Sequence, residues 1–119
     1  MTPEWVSFET RDALETDCPQ GAILLWHIYR GVVVETYEAR RDTRMYTHWA
    51  RLPDVGWIDT EDRRPTADDA DYRGCVLGWH RWDGFKIIGW RRYGQDKYLE
   101  RWMRVPAGPI ISRESGMEG

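Results

Sequence analysis

Ala22-Ile-Leu-Leu-Trp-His-Ile-Tyr-Arg-Gly-Val-Val-Val-Glu-Thr-Tyr37 is the stretch that decides the fold. β-Branched and aromatic residues fill both of its arms, the composition that a pleated, half-buried surface favours. Between the arms lie Arg30-Gly31. The stretch returns as Cys75-Val-Leu-Gly-Trp-His-Arg-Trp-Asp-Gly-Phe-Lys-Ile-Ile-Gly-Trp90, now with Asp83-Gly84 between the arms. Asp-Gly suits a two-residue hairpin loop, because a type I′ turn needs positive φ at both central positions. A two-residue loop sets Tyr29 opposite Val32, His27 opposite Val34 and Trp26 opposite Glu35. In the second hairpin it sets His80 opposite Ile87 and Trp79 opposite Ile88. Leu24, Trp26, Ile28 and Val33 are then expected on one face, and Ile23, Leu25, Tyr29, Val32 and Val34 on the other.

The two hairpins belong to a longer internal repeat. At a shift of 52, Trp5 falls on Trp57, Glu9 on Glu61, Arg11 on Arg63 and Asp17 on Asp69. One extra residue in the second copy then moves the shift to 53. Beyond it Gly21 meets Gly74, Leu24 meets Leu77, Trp26 meets Trp79, His27 meets His80 and Gly31 meets Gly84. Trp49 meets Trp102, Arg51 meets Arg104 and Pro53 meets Pro106. Ile23/Val76, Tyr29/Trp82, Val34/Ile87 and Tyr37/Trp90 exchange like for like, the swaps a core tolerates.

Each copy reads as Trp, polar turn, hairpin, loop, Trp-bearing strand and Pro. Ser7 and Asp59 are good N-caps for a short helical turn. The third strands fall near Tyr46–Leu52 and Leu99–Val105, and the prolines after them stop further ladder pairing. The expected class is mostly β, with a small α+β fold as the variant. The expected architecture is two tandem three-stranded antiparallel meander modules, packed with pseudo-twofold symmetry around one shared Trp-rich core. The first module spans 1–55 and the second 56–109, joined by Asp54-Val55-Gly56; residues 110–119 form a flexible C-terminal tail. Half of a 119-residue chain supports only a marginal core, which favours a shared one.

Apolar residues at 41% and charged residues at 31% are globular composition rather than disorder. A formal net charge of −3 is too small to steer the chain toward nucleic acid or a basic partner. Two cysteines, Cys18 and Cys75, are too few for a disulfide scaffold. No apolar run approaches the roughly 18 residues of a membrane span, so no membrane partner and a cytoplasmic location are expected. The chain is expected as a monomer or homodimer.

Trp57-Ile58, Asp62-Arg63-Arg64-Pro65, Val76-Leu77-Gly78-Trp79 and Arg101-Trp102-Met103-Arg104-Val105-Pro106-Ala107-Gly108-Pro109 resemble the domain-of-unknown-function 551 family of bacteria and their phages. That family typically opens W-I-x-x-x-D-R-L-P and closes T-H-W-x-P-L-P. Thr47-His48-Trp49-Ala50-Arg51-Leu52-Pro53 matches the closing motif better, and the second copy matches the opening better. The first copy has Leu14 in the region of the opening Pro, and the second has Glu100-Arg101 in place of Thr-His. The resemblance carries no activity and no cofactor. It implies a phage or prophage setting, where small accessory proteins bind host or defence components.

No catalytic set stands out. His27, His48 and His80 show no ligand spacing with each other or with the cysteines, so no metal is expected. Ser7, Ser112 and Ser115 lie in no nucleophile motif. No enzyme is therefore expected. Binding surfaces remain. The repeated Trp-His places His27 and His80 as candidates, with strand residues capped by hydrogen bonds as the plain alternative. Trp49/Arg51 and Trp102/Arg104 are two apart, so in a strand each Arg lies beside its ring and can grip phosphate or carboxylate. The alternative is a core Trp with an Arg snorkelling over it. Arg91, Arg92, Lys97 and Arg101 interleave with Trp90, Tyr93, Tyr98 and Trp102 as in single-strand nucleic-acid binders, echoed by Tyr37, Arg40, Arg41, Arg44 and Tyr46. Asp68 and Asp69 lie in the acidic stretch Asp59–Asp71, a solvated face or a mimic of phosphate charge. A host or defence protein is the leading partner, and single-stranded nucleic acid or a nucleotide the second.

Overall fold

The structure, a computed structural model, describes residues 3–41 and 44–110. The expected tail at 110–119 lies outside the described residues except for Ile110. The apolar runs form strands: β1 (Val6–Ser7), β2 (Ala22–His27), β3 (Gly31–Thr36), β4 (Tyr46–Ala50), β5 (Ile58–Asp59), β6 (Cys75–His80), β7 (Gly84–Gly89) and β8 (Leu99–Met103). Short 3₁₀ turns at Glu15–Asp17, Glu38–Arg41, Ala67–Asp69 and Trp90–Gly94 connect them. The protein is mostly β.

The strands build two four-stranded antiparallel sheets, in the order β1-β4-β2-β3 and β5-β8-β6-β7. This corrects the expected three-stranded meander in two ways. A two-residue edge strand is added to each sheet, Val6 opposing Trp49 and Ile58 opposing Trp102. The Trp-bearing strand also pairs with the first arm of the hairpin rather than the second, Leu25 opposing Trp49 and Gly78 opposing Trp102. Pairing on that side keeps Trp49 on the face that carries Ile23 and Leu25, which it must cover.

The hairpin register is shifted as well. His27 opposes Gly31, Trp26 opposes Val32 and Leu24 opposes Val34; in the second copy His80 opposes Gly84 and Trp79 opposes Phe85. The loops are therefore the three residues 28–30 and 81–83. A type I′ turn would need Arg30 in the left-handed region, and no described non-glycine residue adopts positive φ. Gly31 (φ +83°) and Gly84 (φ +81°) absorb that conformation alone, the pattern of a three-residue loop closed by an αL glycine. Because the shift is odd, faces change over: Val33 joins Leu25, while Val32 and Val34 join Leu24 and Trp26.

Alternation along the strands then yields three apolar clusters instead of one shared core. Ala13, Cys18, Ile23, Leu25, Val33 and Trp49 fill the first half. Val76, Ile88, Tyr93, Leu99 and Trp102 fill the second. Between the sheets lie Leu24, Val32, Ala50 and Leu77, flanked by Trp5, Trp26, Trp57, Ile87 and Met103. Trp49 and Trp102 each serve their own half, and small Ala50 turns to the shared face. Cys18 is the buried cysteine and Cys75 is half-buried. Gly78 stands where the first half has Leu25, and a Cβ there would run into the Tyr93 hydroxyl; the Tyr93 ring takes that space.

The indoles of Trp26 and Trp79 have different neighbours. Trp26 packs on the shared cluster with the Gly108 backbone against its ring. Trp79 lies 4.6 Å from Phe85, centroid to centroid, with the Arg101 guanidinium 5.7 Å from its ring. Phe85 replaces Val32 opposite the indole and supplies the difference. The halves are tied by Trp5 Nε1 donating to the Ala107 carbonyl at 2.8 Å, and Arg73 Nη1 to the Arg30 carbonyl at 2.7 Å. Trp57 Nε1 donates to the Pro53 carbonyl at 3.0 Å.

Gly31 offers a test of this junction. A Cβ at Gly31 would lie 2.8 Å from the Tyr72 hydroxyl, whereas at Gly84 the nearest atom is 3.9 Å away, on Trp79. Gly84→Ala should cost about 1–2 kcal/mol for the left-handed backbone. Gly31→Ala should cost little more, because its Cβ meets only the far end of the exposed Tyr72 side chain, which can turn aside. Urea unfolding midpoints of the two variants check both losses; a much larger loss for Gly31→Ala would mean that Tyr72 is locked onto the first hairpin.

Candidate functional site

Four of the repeated identities come together in each half. Asp17 ends its 3₁₀ turn buried, and its Oδ2 accepts the Leu14 N–H at 2.9 Å and Arg11 Nη1 at 3.1 Å. Its Oδ1 accepts Arg51 Nη2 at 2.8 Å and Nε at 3.1 Å. Arg11 stacks 4.7 Å from the Trp49 ring, and Trp49 Nε1 donates to the Arg11 carbonyl at 3.0 Å. The second half repeats this around Asp69, which accepts from Arg63 Nη1 and Nη2 at 2.9 and 3.2 Å and from Arg104 Nη2 at 3.3 Å. Thr66 adds its N–H and hydroxyl. Arg63 lies 4.7 Å from the Trp102 ring, whose Nε1 donates to the Arg63 carbonyl at 2.7 Å.

Burial alone would push the Asp17 carboxyl up, but the Leu14 N–H, Arg51 and Arg11 outweigh it and hold it at about 2. Arg63 leads the groups that hold Asp69 well below the usual carboxylate range. The repeated Trp-x-Arg thus grips a carboxylate of its own chain. Trp49 and Trp102 are buried and present no aromatic floor to a ligand. Asp69 is buried and doubly ion-paired while Asp68 is exposed, so the two do not form one acidic surface.

His27 and His80 brace the hairpin loops. His27 Nδ1 accepts the N–H groups of Tyr29 and Arg30 at 3.1 and 3.0 Å. His80 Nδ1 accepts those of Trp82 and Asp83, both at 3.1 Å, and its Nε2 lies 3.1 Å from Asp96 Oδ2. With Nδ1 an acceptor, Nε2 carries the proton and donates to Asp96. Both ring nitrogens are committed, so His80–Asp96 has no nitrogen left to act as a base. The Tyr98 N–H, with His80, holds the Asp96 carboxyl down.

Arg91, Arg92, Lys97 and Arg101 are exposed but do not make one surface of free cations. Arg91 lies 5.3 Å from Trp90, Lys97 5.3 Å from Tyr98 and Arg101 5.7 Å from Trp79. Arg92 pairs with Asp96 at 3.5 Å, and Arg81 with Glu100. Lys97 and Arg101 share a groove of about 580 Å³ with Arg64 and Arg81, against Asp59, Glu61, Asp96 and Glu100. Its charges are mixed. Tyr93, expected to interleave there, is buried, its hydroxyl donating to the Arg101 carbonyl at 2.8 Å.

Two surfaces were not singled out by the sequence. Tyr29 and Tyr72, 77% and 82% exposed, line one depression of about 520 Å³ with Val33, Val34, Ile87, Arg30 and Arg73. The other is a groove beyond the ends of β4 and β8. The paired identities Arg11/Arg63 and Asp17/Asp69 were the available signal for the ion-pair units; the depression depends on how the halves meet and had none.

Among the described residues no group of three or more His, Cys, Asp and Glu is placed to hold a metal ion, and no helix is long and apolar enough to cross a membrane. No protein-family model matches the chain, and neither a curated protein nor a solved structure does.

Proposed function

We propose that this chain is a non-enzymatic accessory protein, of phage or prophage type, that binds and modulates a protein of the host or of a defence system. On this reading the two modules arose by duplication, are related by a pseudo-twofold, and act as one binding unit. The observation that carries it is the depression between the halves. One highly exposed tyrosine from each half faces it, over a valine and isoleucine floor, with Arg30 and Arg73 at its side. Tyrosine and arginine around an apolar centre are the chemistry of interface hot spots. The backbone beside each anchor is braced in advance of binding: the His27 bonds hold the loop of Tyr29, and Arg73, next to Tyr72, donates to the Arg30 carbonyl of the first hairpin. A braced backbone has less freedom to lose on association. The resemblance to the domain-of-unknown-function 551 family supplies the phage context.

The test is affinity capture from host lysate, followed by titration of the captured protein. Tyr29→Ser with Tyr72→Ser should weaken binding by at least about 2 kcal/mol, roughly thirtyfold, with the fold unchanged, because both side chains are exposed. Capture that survives the double variant would refute the site. A single-stranded oligonucleotide bound at low salt and released at high salt, with no protein captured, would favour the nucleic-acid reading. Retention lost on charge reversal at Asp68 would favour the acidic mimic.

A further inference from the structure

The groove beyond β4 and β8 has a volume of about 600 Å³ and shares no residue with the Tyr29–Tyr72 depression. Its wall is apolar where Pro53, Val55, Ile58, Val105 and Pro106 line it. Arg51, Arg63 and Arg104 line it too. Each of these cations touches a buried carboxylate, yet the stoichiometry leaves charge over. Asp17 is shared by Arg11 and Arg51, and Asp69 by Arg63 and Arg104. Two cations on one anion leave one positive charge at each unit, and among the described residues lining the groove Asp54 is the one carboxylate that offsets it.

The spare charge is accessible. The Arg51 and Arg104 side chains remain 65% and 70% exposed, and a guanidinium has donors beyond those its carboxylate takes. Anchoring to Asp17 and Asp69 also fixes both heads before any ligand arrives, so less rotamer entropy is lost on binding. A concave, mostly apolar space with a few placed charges is the form of a small-molecule site, for which about 300–1,000 Å³ is usual.

We infer that this groove binds a small organic anion, a carboxylate on an aromatic or branched aliphatic body. The carboxylate is held by the outward donors of Arg51 and Arg104, and the body lies on the prolines and Val55. The site stands independently of the protein-binding surface.

The experiment is an amide NMR titration with 2-naphthoate, run beside 2-naphthamide and acetate. Saturable shifts are expected around Val55, Gly56 and Val105, with the amide and acetate each at least about tenfold weaker. Val55 is 67% exposed, so Val55→Glu keeps the fold and sets a carboxylate where the ligand body lies; binding should fall at least about tenfold. Arg104→Gln should weaken naphthoate and leave the amide unchanged, with Arg104→Lys restoring part of the loss. Absence of saturable shifts overturns the inference. So do equal affinities for naphthoate and naphthamide, acetate binding as tightly as naphthoate, or a Val55→Glu variant that binds as before.

Discussion

Trp102→Ala lowers the unfolding free energy by about 4 kcal/mol, seen as a shifted urea midpoint at unchanged slope. The ring is fully buried among Val76, Ile88, Tyr93 and Leu99, so truncation leaves a cavity that a sheet strand cannot close by moving. It also removes the donor to the Arg63 carbonyl and the ring beneath the Arg63 guanidinium. Trp102→Phe keeps most of the volume and loses the Nε1 bond; about half the effect is expected. Trp49→Ala should match Trp102→Ala, because Trp49 packs on Ile23, Leu25 and Val33 and donates to the Arg11 carbonyl. Trp82, 71% exposed, is the control, with a change within about 0.5 kcal/mol. Comparable losses at Trp82 and Trp102 would show that the buried indoles do not organise the two halves. With total stabilities of about 5–15 kcal/mol usual for domains, the loss is large.

The strands of both hairpins could be read from β-branched and aromatic runs, because that signal is local. Register could not. It is set at Arg30, which lacks the positive φ that a two-residue loop requires, and by His27 Nδ1, which accepts two loop N–H groups. A three-residue error then moved Val32, Val33 and Val34 to the wrong faces and made three clusters look like one core. Pairing of β4 with β2 was illegible for a different reason: no local residue states which edge of a hairpin a later strand will take. The ion-pair units were half legible. Arg11, Asp17, Trp49 and Arg51 all recur in the second copy, yet their joining depends on Arg51 meeting a carboxylate 34 positions earlier. The Tyr29–Tyr72 depression follows from how two sheets dock, which Tyr29 and Tyr72 do not encode by themselves.

Acid should unfold this protein through Asp17 and Asp69. The fold holds the Asp17 carboxyl at about 2, against 3.8 as its ordinary value. A carboxyl held down in the folded state adds stability in full above its unfolded value and loses it as pH falls. For Asp17 the loss runs from about pH 4 to 2 and amounts to about 2 kcal/mol; Asp69, held lower, continues it further into acid. Asp17→Ala should remove its share of this acid slope and cost about 2–3 kcal/mol at neutral pH. The arginines should respond unequally to single and double replacement. Arg51→Ala leaves Asp17 held by Arg11 and the Leu14 N–H, so about 1 kcal/mol is expected. Replacing Arg11 and Arg51 together strands a buried carboxylate, costs about 3–5 kcal/mol, and exceeds the sum of the singles. With both guanidiniums gone only the Leu14 N–H still holds the carboxyl down, so its share of the acid slope should shrink. Additive single losses in a double-mutant cycle, with the acid slope unchanged, would show that Asp17 does not depend on sharing its charge between two guanidiniums.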